Sequence, residues 1–103
     1  MNNNGLLARQ LQMEIASRFY DNEVQLRIVP SNDSKCEEEL RLSISRDNGY
    51  NRFFVNSILE ENIYKNVNIK GTKYKKIELG YGYMLIREDD ILDLIIISIH
   101  TYK

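Results

Sequence analysis

The 103-residue chain has no tryptophan, one proline, one histidine and one cysteine. Each scarcity excludes something. A lone thiol, Cys36, forms no internal disulfide, and its place between Lys35 and Glu37 in a polar stretch fits a reducing compartment. One cysteine and one histidine fall short of the roughly four soft or imidazole ligands of a structural zinc site, which argues against such a site within one chain; no metal and no cofactor is expected, with carboxylates the one remaining source of ligands. A long hydrophobic run is missing too. The most apolar stretch, Ile91 to Ile99, is about half of the roughly 20 residues that cross a bilayer as a helix, and Asp93 and Ser98 interrupt it. The opening Met1-Asn2-Asn3-Asn4-Gly5 is polar and does not read as a basic-then-apolar leader. A soluble, cytoplasmic protein is expected. Nor is one sign of charge in excess. Lys and Arg number 14 against 15 Asp and Glu, a formal net charge of −1, which argues against a protein built mainly to neutralise phosphate.

What the chain does have is much Asn, Ile, Lys and Tyr. These residues have AT-rich codons and point to a low-GC genome, that of a bacterium or of a phage infecting one. The length suits a single domain spanning residues 1–103, able to bury about two-thirds of its unfolded surface without a staple.

Apolar periodicity sets the expected order of elements. Asn4 reads as the N-cap of a first helix, with Leu7, Leu11, Ile15 and Phe19 on one face and Asp21-Asn22 as its stop. A narrower stripe of Leu6, Met13 and Tyr20 lies almost opposite, either folded under a loop or offered to a partner. Val24, Leu26 and Ile28 alternate with polar residues up to Pro30, and Leu40, Leu42 and Ile44 do the same, giving two strands. Asp47-Asn48-Gly49 carries a hairpin signal, so Tyr50 to Val55 is read as a further strand in preference to a helix. Ser57 and Glu60 have the spacing of a capping box, which predicts a short helix with Leu59, Ile63 and Val67 inward, broken off by Gly71 directly or after a short extended piece. Tyr74 to Leu79, Tyr81 to Arg87 and Ile91 to Tyr102 read as strands, parted by Gly80 or Gly82 and by Glu88-Asp89-Asp90.

The expected fold is therefore α+β. It has an antiparallel sheet of five to six strands, a long N-terminal helix and a short middle helix, in the order α-β-β-(β)-α-β-β-β. Apolar residues on both alternating faces of Ile91 to Ile99 place that strand at the centre of the sheet, in need of cover on both sides. A helix or a second copy of the chain would supply the second cover, so a homodimer is an expectation.

Chemistry is thinner. His100 is the one side chain titrating near neutrality, and Ser98 and Cys36 are the nucleophiles to weigh against it, with no motif behind either. Glu88, Asp89, Asp90 and Asp93 lack the glycine and spacing of a calcium-binding hand and read as a solvated turn. Gly80-Tyr81-Gly82-Tyr83 lacks the third glycine and the following helix of a dinucleotide loop. No enzyme is predicted. Binding is the remaining mode of action, and three clusters are candidates for it. Glu37, Glu38 and Glu39, with Asp89 and Asp90, would mimic phosphates toward a basic groove on another protein. Tyr74, Tyr81 and Tyr83 would share a sheet face and supply anchors. Lys70, Lys73, Lys75 and Lys76 would hold a nucleic-acid backbone in the alternative reading, or protect a sheet edge. The leading expectation is a small protein-binding inhibitor or regulator, such as an anti-CRISPR-like phage anti-defence protein blocking a nuclease, or an immunity protein neutralising a toxin. A nucleic-acid-binding regulator and a small-ligand or nucleotide-binding protein are the alternatives.

Overall fold

The computed structural model describes residues 25–103. The expected N-terminal helix from Asn4 to Tyr20 lies outside the described residues. Within them the order is β1 (Gln25–Pro30), β2 (Cys36–Ser45), α1 (Gly49–Glu61), β3 (Lys65–Ile69), β4 (Thr72–Glu78), β5 (Gly82–Asp89) and β6 (Leu94–Tyr102). The strands form one sheet in the order β1-β2-β6-β5-β4-β3, and every neighbouring pair is antiparallel. No helix among the described residues is long and apolar enough to cross a membrane.

β6 lies between β2 and β5, as its two-sided apolarity predicts. Ile95, Ile97 and Ile99 face Ile44, Leu42 and Leu40 of β2, while Ile97 and Ile99 face Ile86 and Met84 of β5 on the other flank. With Ile77 of β4 and Val55 of α1 these residues form the main core. Each fully buried Ile or Leu, such as Ile44 and Ile97, contributes about 1.5–3 kcal/mol over an exposed one. Phe54, Ile58 and Leu59 of α1 pack onto the same core, so the helix covers this face of the sheet.

The opposite face of β6 carries Ile96, Ser98 and His100, all buried. Both faces of β6 are therefore buried within the chain. A smaller cluster of Cys36, Tyr83 and Leu85, with Val67, Tyr74 and Tyr102 against it, lies on this side. A β-bulge between Cys36 and Glu38 adds a residue to β2, which lets Cys36 and Glu39 point to the same face despite odd spacing.

The middle of the chain departs from expectation. Tyr50 to Val55 is helix, not strand. Asn48 starts it, because its Oδ1 accepts from the backbone N–H groups of Tyr50 (2.9 Å) and Asn51 (3.3 Å). Asn51 Nδ2 then donates to the Ser45 carbonyl at 2.9 Å and locks the corner between β2 and α1. The Asn-Gly pair read as a hairpin is thus a helix cap. Ser57 is not an N-cap: it sits inside α1 and donates back to the Phe53 carbonyl at 2.9 Å. The helix ends at Glu61, so Ile63 is exposed and Val67 belongs to β3. Gly71 ends no helix. Ile69 pairs with Thr72, and Lys70 and Gly71 between them have φ of 51° and 86°, the two positive values of a type I′ hairpin turn. Glu88 and Asp89 finish β5, and the chain turns over the residues before Leu94.

Candidate functional site

β6 places His100 between Glu39 of β2 and Tyr83 of β5. The imidazole stacks on the Tyr83 ring at 4.9 Å between centroids, and its Nδ1 lies 2.8 Å from Ser31 Oγ in the β1–β2 loop. The Tyr83 hydroxyl donates to Asp33 Oδ2 at 2.6 Å, and the backbone N–H of Asp33 donates to Ser31 Oγ at 3.1 Å. Burial pushes the His100 imidazole below its ordinary range, so it is neutral at neutral pH. Burial and the bond to Asp33 push the Tyr83 phenol up, and the same bond holds the Asp33 carboxyl down. Burial also raises Cys36, which keeps it a thiol and a poor nucleophile. The hydroxyl that meets His100 is Ser31, which sequence reasoning missed because 69 residues separate the two. These contacts satisfy buried polar groups with one another. Among the described residues no group of three or more His, Cys, Asp and Glu is placed to hold a metal ion.

The structure scatters the three nominated clusters. Tyr74 and Tyr83 line one pocket of about 370 Å³ on this face. Tyr81 packs on the helix-side core instead, where burial raises its phenol. Lys73 and Lys75 alternate with Tyr74 and Lys76 along β4, so the lysines divide between the two faces of the sheet. Lys76 Nζ sits 4.5 Å from the Tyr83 ring centroid and 3.6 Å from the Glu78 carboxylate. Lys75 Nζ is 5.9 Å from the Tyr64 ring, and Lys70 occupies the β3–β4 turn.

The acidic clusters lie at opposite ends of β6. Glu39 is opposite His100, whereas Asp89 is opposite Leu94. Glu39 is buried and forms a two-pronged pair with Arg41, at 2.8 Å to Nε and 3.2 Å to Nη2. Glu37 is exposed and Glu38 half-buried. Asp89 Oδ1 accepts from the backbone of Ile91 (3.0 Å) and Leu92 (2.9 Å), and those bonds hold its carboxyl low. Asp90 and Asp93 both engage the Arg46 guanidinium, Asp93 at 2.6 Å.

Arg46 organises that end of the sheet. Its backbone N–H donates to the Asp93 carbonyl at 2.9 Å, and its side chain ties the β5–β6 turn to the corner where α1 begins. Large apolar side chains stand there in solvent. Ile91 is 94% and Leu92 62% exposed on the turn, and Tyr50 is 83% and Phe53 73% exposed on α1. Tyr50 and Phe53, three apart, share one helix face. Sequence reading placed Ile91 and Leu92 in the central strand and Tyr50 in a hairpin, so none of these was nominated. The available signal was Asp93, which breaks the apolar run two residues before the buried part begins. No protein family, curated protein or solved structure matches this chain.

Proposed function

We propose that the protein acts by binding another protein, as a small non-enzymatic inhibitor or regulator, and that the end carrying Tyr50, Phe53, Ile91 and Leu92 is its contact surface. One observation supports the reading above others: four large apolar side chains stand exposed on α1 and the β5–β6 turn, which Arg46 joins through Asp90 and Asp93, and the least exposed of them, Leu92, is still 62% exposed. Monomers rarely expose contiguous apolar patches beyond a few hundred Å², and patches rimmed by polar residues mark interaction sites. The rim here is acidic. Asp47, Glu88 and Asp90 are exposed on the same segments, against one exposed cation, Arg52, since Arg46 is held by Asp90 and Asp93. An apolar centre with an acidic rim suits a partner with a basic groove, such as a nuclease or a toxin, where rim charge sets the rate of encounter and the apolar anchors set residence. Glu37 and Glu38, at the other end of β6, would lie outside such a contact.

The test is capture of a partner from host lysate by the parent protein and by the double variant Phe53→Ala/Leu92→Ala. Both substitutions remove exposed side chains, so the fold is expected to survive, as circular dichroism would show. A partner held by the parent and lost at least about tenfold by the variant supports the surface. Equal capture by both proteins refutes it.

A further inference from the structure

The sheet comes apart at one place, and the gap is lined with positive charge. The β4–β5 ladder runs only from Glu78 opposite Tyr83 to Lys75 opposite Ile86. β5 continues alongside β6 to Asp89, and β4 continues alongside β3 to Thr72. Beyond Lys75 the β3–β4 hairpin therefore diverges from β5. A cleft of about 720 Å³ opens there, with α1 standing over it. That volume falls within the range of about 300–1,000 Å³ typical of small-molecule sites.

Three kinds of side chain line the cleft. Val55 and Leu59 of α1, with Ile86 and Ile95 of the sheet, give an apolar floor. Asn56 and Asn66 each carry a donor and an acceptor, and Asn68, whose Oδ1 accepts from the Gly71 N–H at 2.9 Å, keeps its amide donor. Lys73 and Lys75 bring two cations, against one carboxylate, Glu88, with Arg87 at the border because it pairs with Ile96 of the other sheet face. Arg87 is already engaged by Asp89 at 3.2 Å. None of the ion pairs among the described residues involves Lys73 or Lys75, although Lys75 is half-buried. Lys73 is exposed, and the Lys75 Nζ lies 5.9 Å from the Tyr64 ring, so neither ammonium has a carboxylate partner among the described residues and both can meet an anion in the cleft.

From this geometry we infer that the cleft binds a small organic phosphate carrying a flat ring, of the mononucleotide class. The ring would lie on the apolar floor, the asparagine amides would meet its edge, and Lys73 and Lys75 would hold the phosphate. The inference does not rest on the protein-contact surface: none of Tyr50, Phe53, Ile91 and Leu92 lines the cleft, and of the acidic rim only Glu88 does.

Isothermal titration of the full chain with AMP, GMP, CMP and UMP tests it, alongside adenosine, inorganic phosphate and a single-stranded oligonucleotide. Saturable binding of at least one mononucleotide is expected, with adenosine and inorganic phosphate each at least about tenfold weaker, since each offers half of the recognised chemistry. Lys73→Ala/Lys75→Ala should weaken it at least about tenfold, and Glu88→Gln should leave it equal or tighter, because it removes a like charge from the phosphate's surroundings. Lys73→Glu alone, which keeps the Lys75 contact with Tyr64, should weaken it as well. No heat and no thermal stabilisation with any mononucleotide at millimolar concentration overturns the inference. So does binding insensitive to the lysine variants. Tighter binding of the oligonucleotide than of any mononucleotide, lost with the same lysines, would replace it with a nucleic-acid site.

Discussion

The hydroxyl of Tyr83 donates to the carboxylate of Asp33 at 2.6 Å across 50 residues of chain, and so pins the β1–β2 loop to the middle of the sheet. Tyr83 is buried, and the bond is the largest cause of the lowered Asp33 carboxyl. Tyr83→Phe should lower the melting temperature by a few degrees at neutral pH. The sign with acid follows from linkage. A carboxylate whose folded pKa is depressed contributes stability above its unfolded value, near 3.8, and loses it as pH falls through the folded value. The gap between parent and variant should therefore be full at pH 7 and close in strong acid. A gap that persists unchanged in acid would assign the effect to packing alone.

His100 makes a separate, higher pH dependence. It is 4% exposed and held below the unfolded value of 6.5 by burial, while Glu39 and Asp33 pull the other way and Arg41 adds to the lowering. Below pH 6.5 the unfolded chain takes up a proton that the folded chain refuses, so unfolding becomes easier as pH falls toward the folded value. Chemical denaturation between pH 7.5 and about 5 should show stability falling with acid, and His100→Gln should flatten that slope even if it lowers stability throughout. A slope that survives the substitution would locate the titration elsewhere.

How far the sequence could be read depended on whether a signal was local. β6 was legible because two faces of apolar residues from Leu94 to Ile99 have no other home than the middle of a sheet. β1 and β2 were legible from alternation, and β4 and β5 from the turn signals that bound them, with their ends displaced by a few residues. The helix α1 was not, because Tyr50, Phe53, Phe54 and Val55 favour strands and Asn48-Gly49 resembles a hairpin turn. Tertiary packing overrode that preference: Phe54, Val55, Ile58 and Leu59 make a helical stripe, and one face of the sheet needed a cover. The His100 cluster was out of reach for a different reason. Ser31, Asp33, Glu39 and Tyr83 meet only through strand order and the bulge in β2, neither of which leaves a mark at fixed spacing.

Two helix residues separate the local reading from the observed one. Asn48→Ala removes the oxygen that accepts from Tyr50 and Asn51 and should cost about 1 kcal/mol, within the usual range of 0.5–2 for a lost N-cap. Ser57→Ala removes only a back-bond to Phe53 inside the helix and should change stability by less than about 0.5 kcal/mol. Urea unfolding of the two variants measures both. The reverse ranking would restore Ser57 as the helix start.

Gly82 pairs with Thr101 between β5 and β6 and is the described glycine with the least room for a side chain. A β-carbon built there would overlap the backbone carbonyl of His100, and backbone in the central strand has nowhere to go. Gly82→Ala must therefore push β5 away from β6 beside the Tyr83–His100 stack, and should destabilise by about 3 kcal/mol or more. Gly49→Ala supplies the control, since a β-carbon there meets nothing within 4 Å and alanine in the first turn of α1 loses less chain entropy on folding. It should leave stability equal or slightly higher. Thermal melts of the two variants read the contrast directly, and the near-ultraviolet dichroism of the tyrosines reports whether Tyr83 has moved. A Gly82→Ala protein that melts with its parent would mean that β5 and β6 do not hold this register.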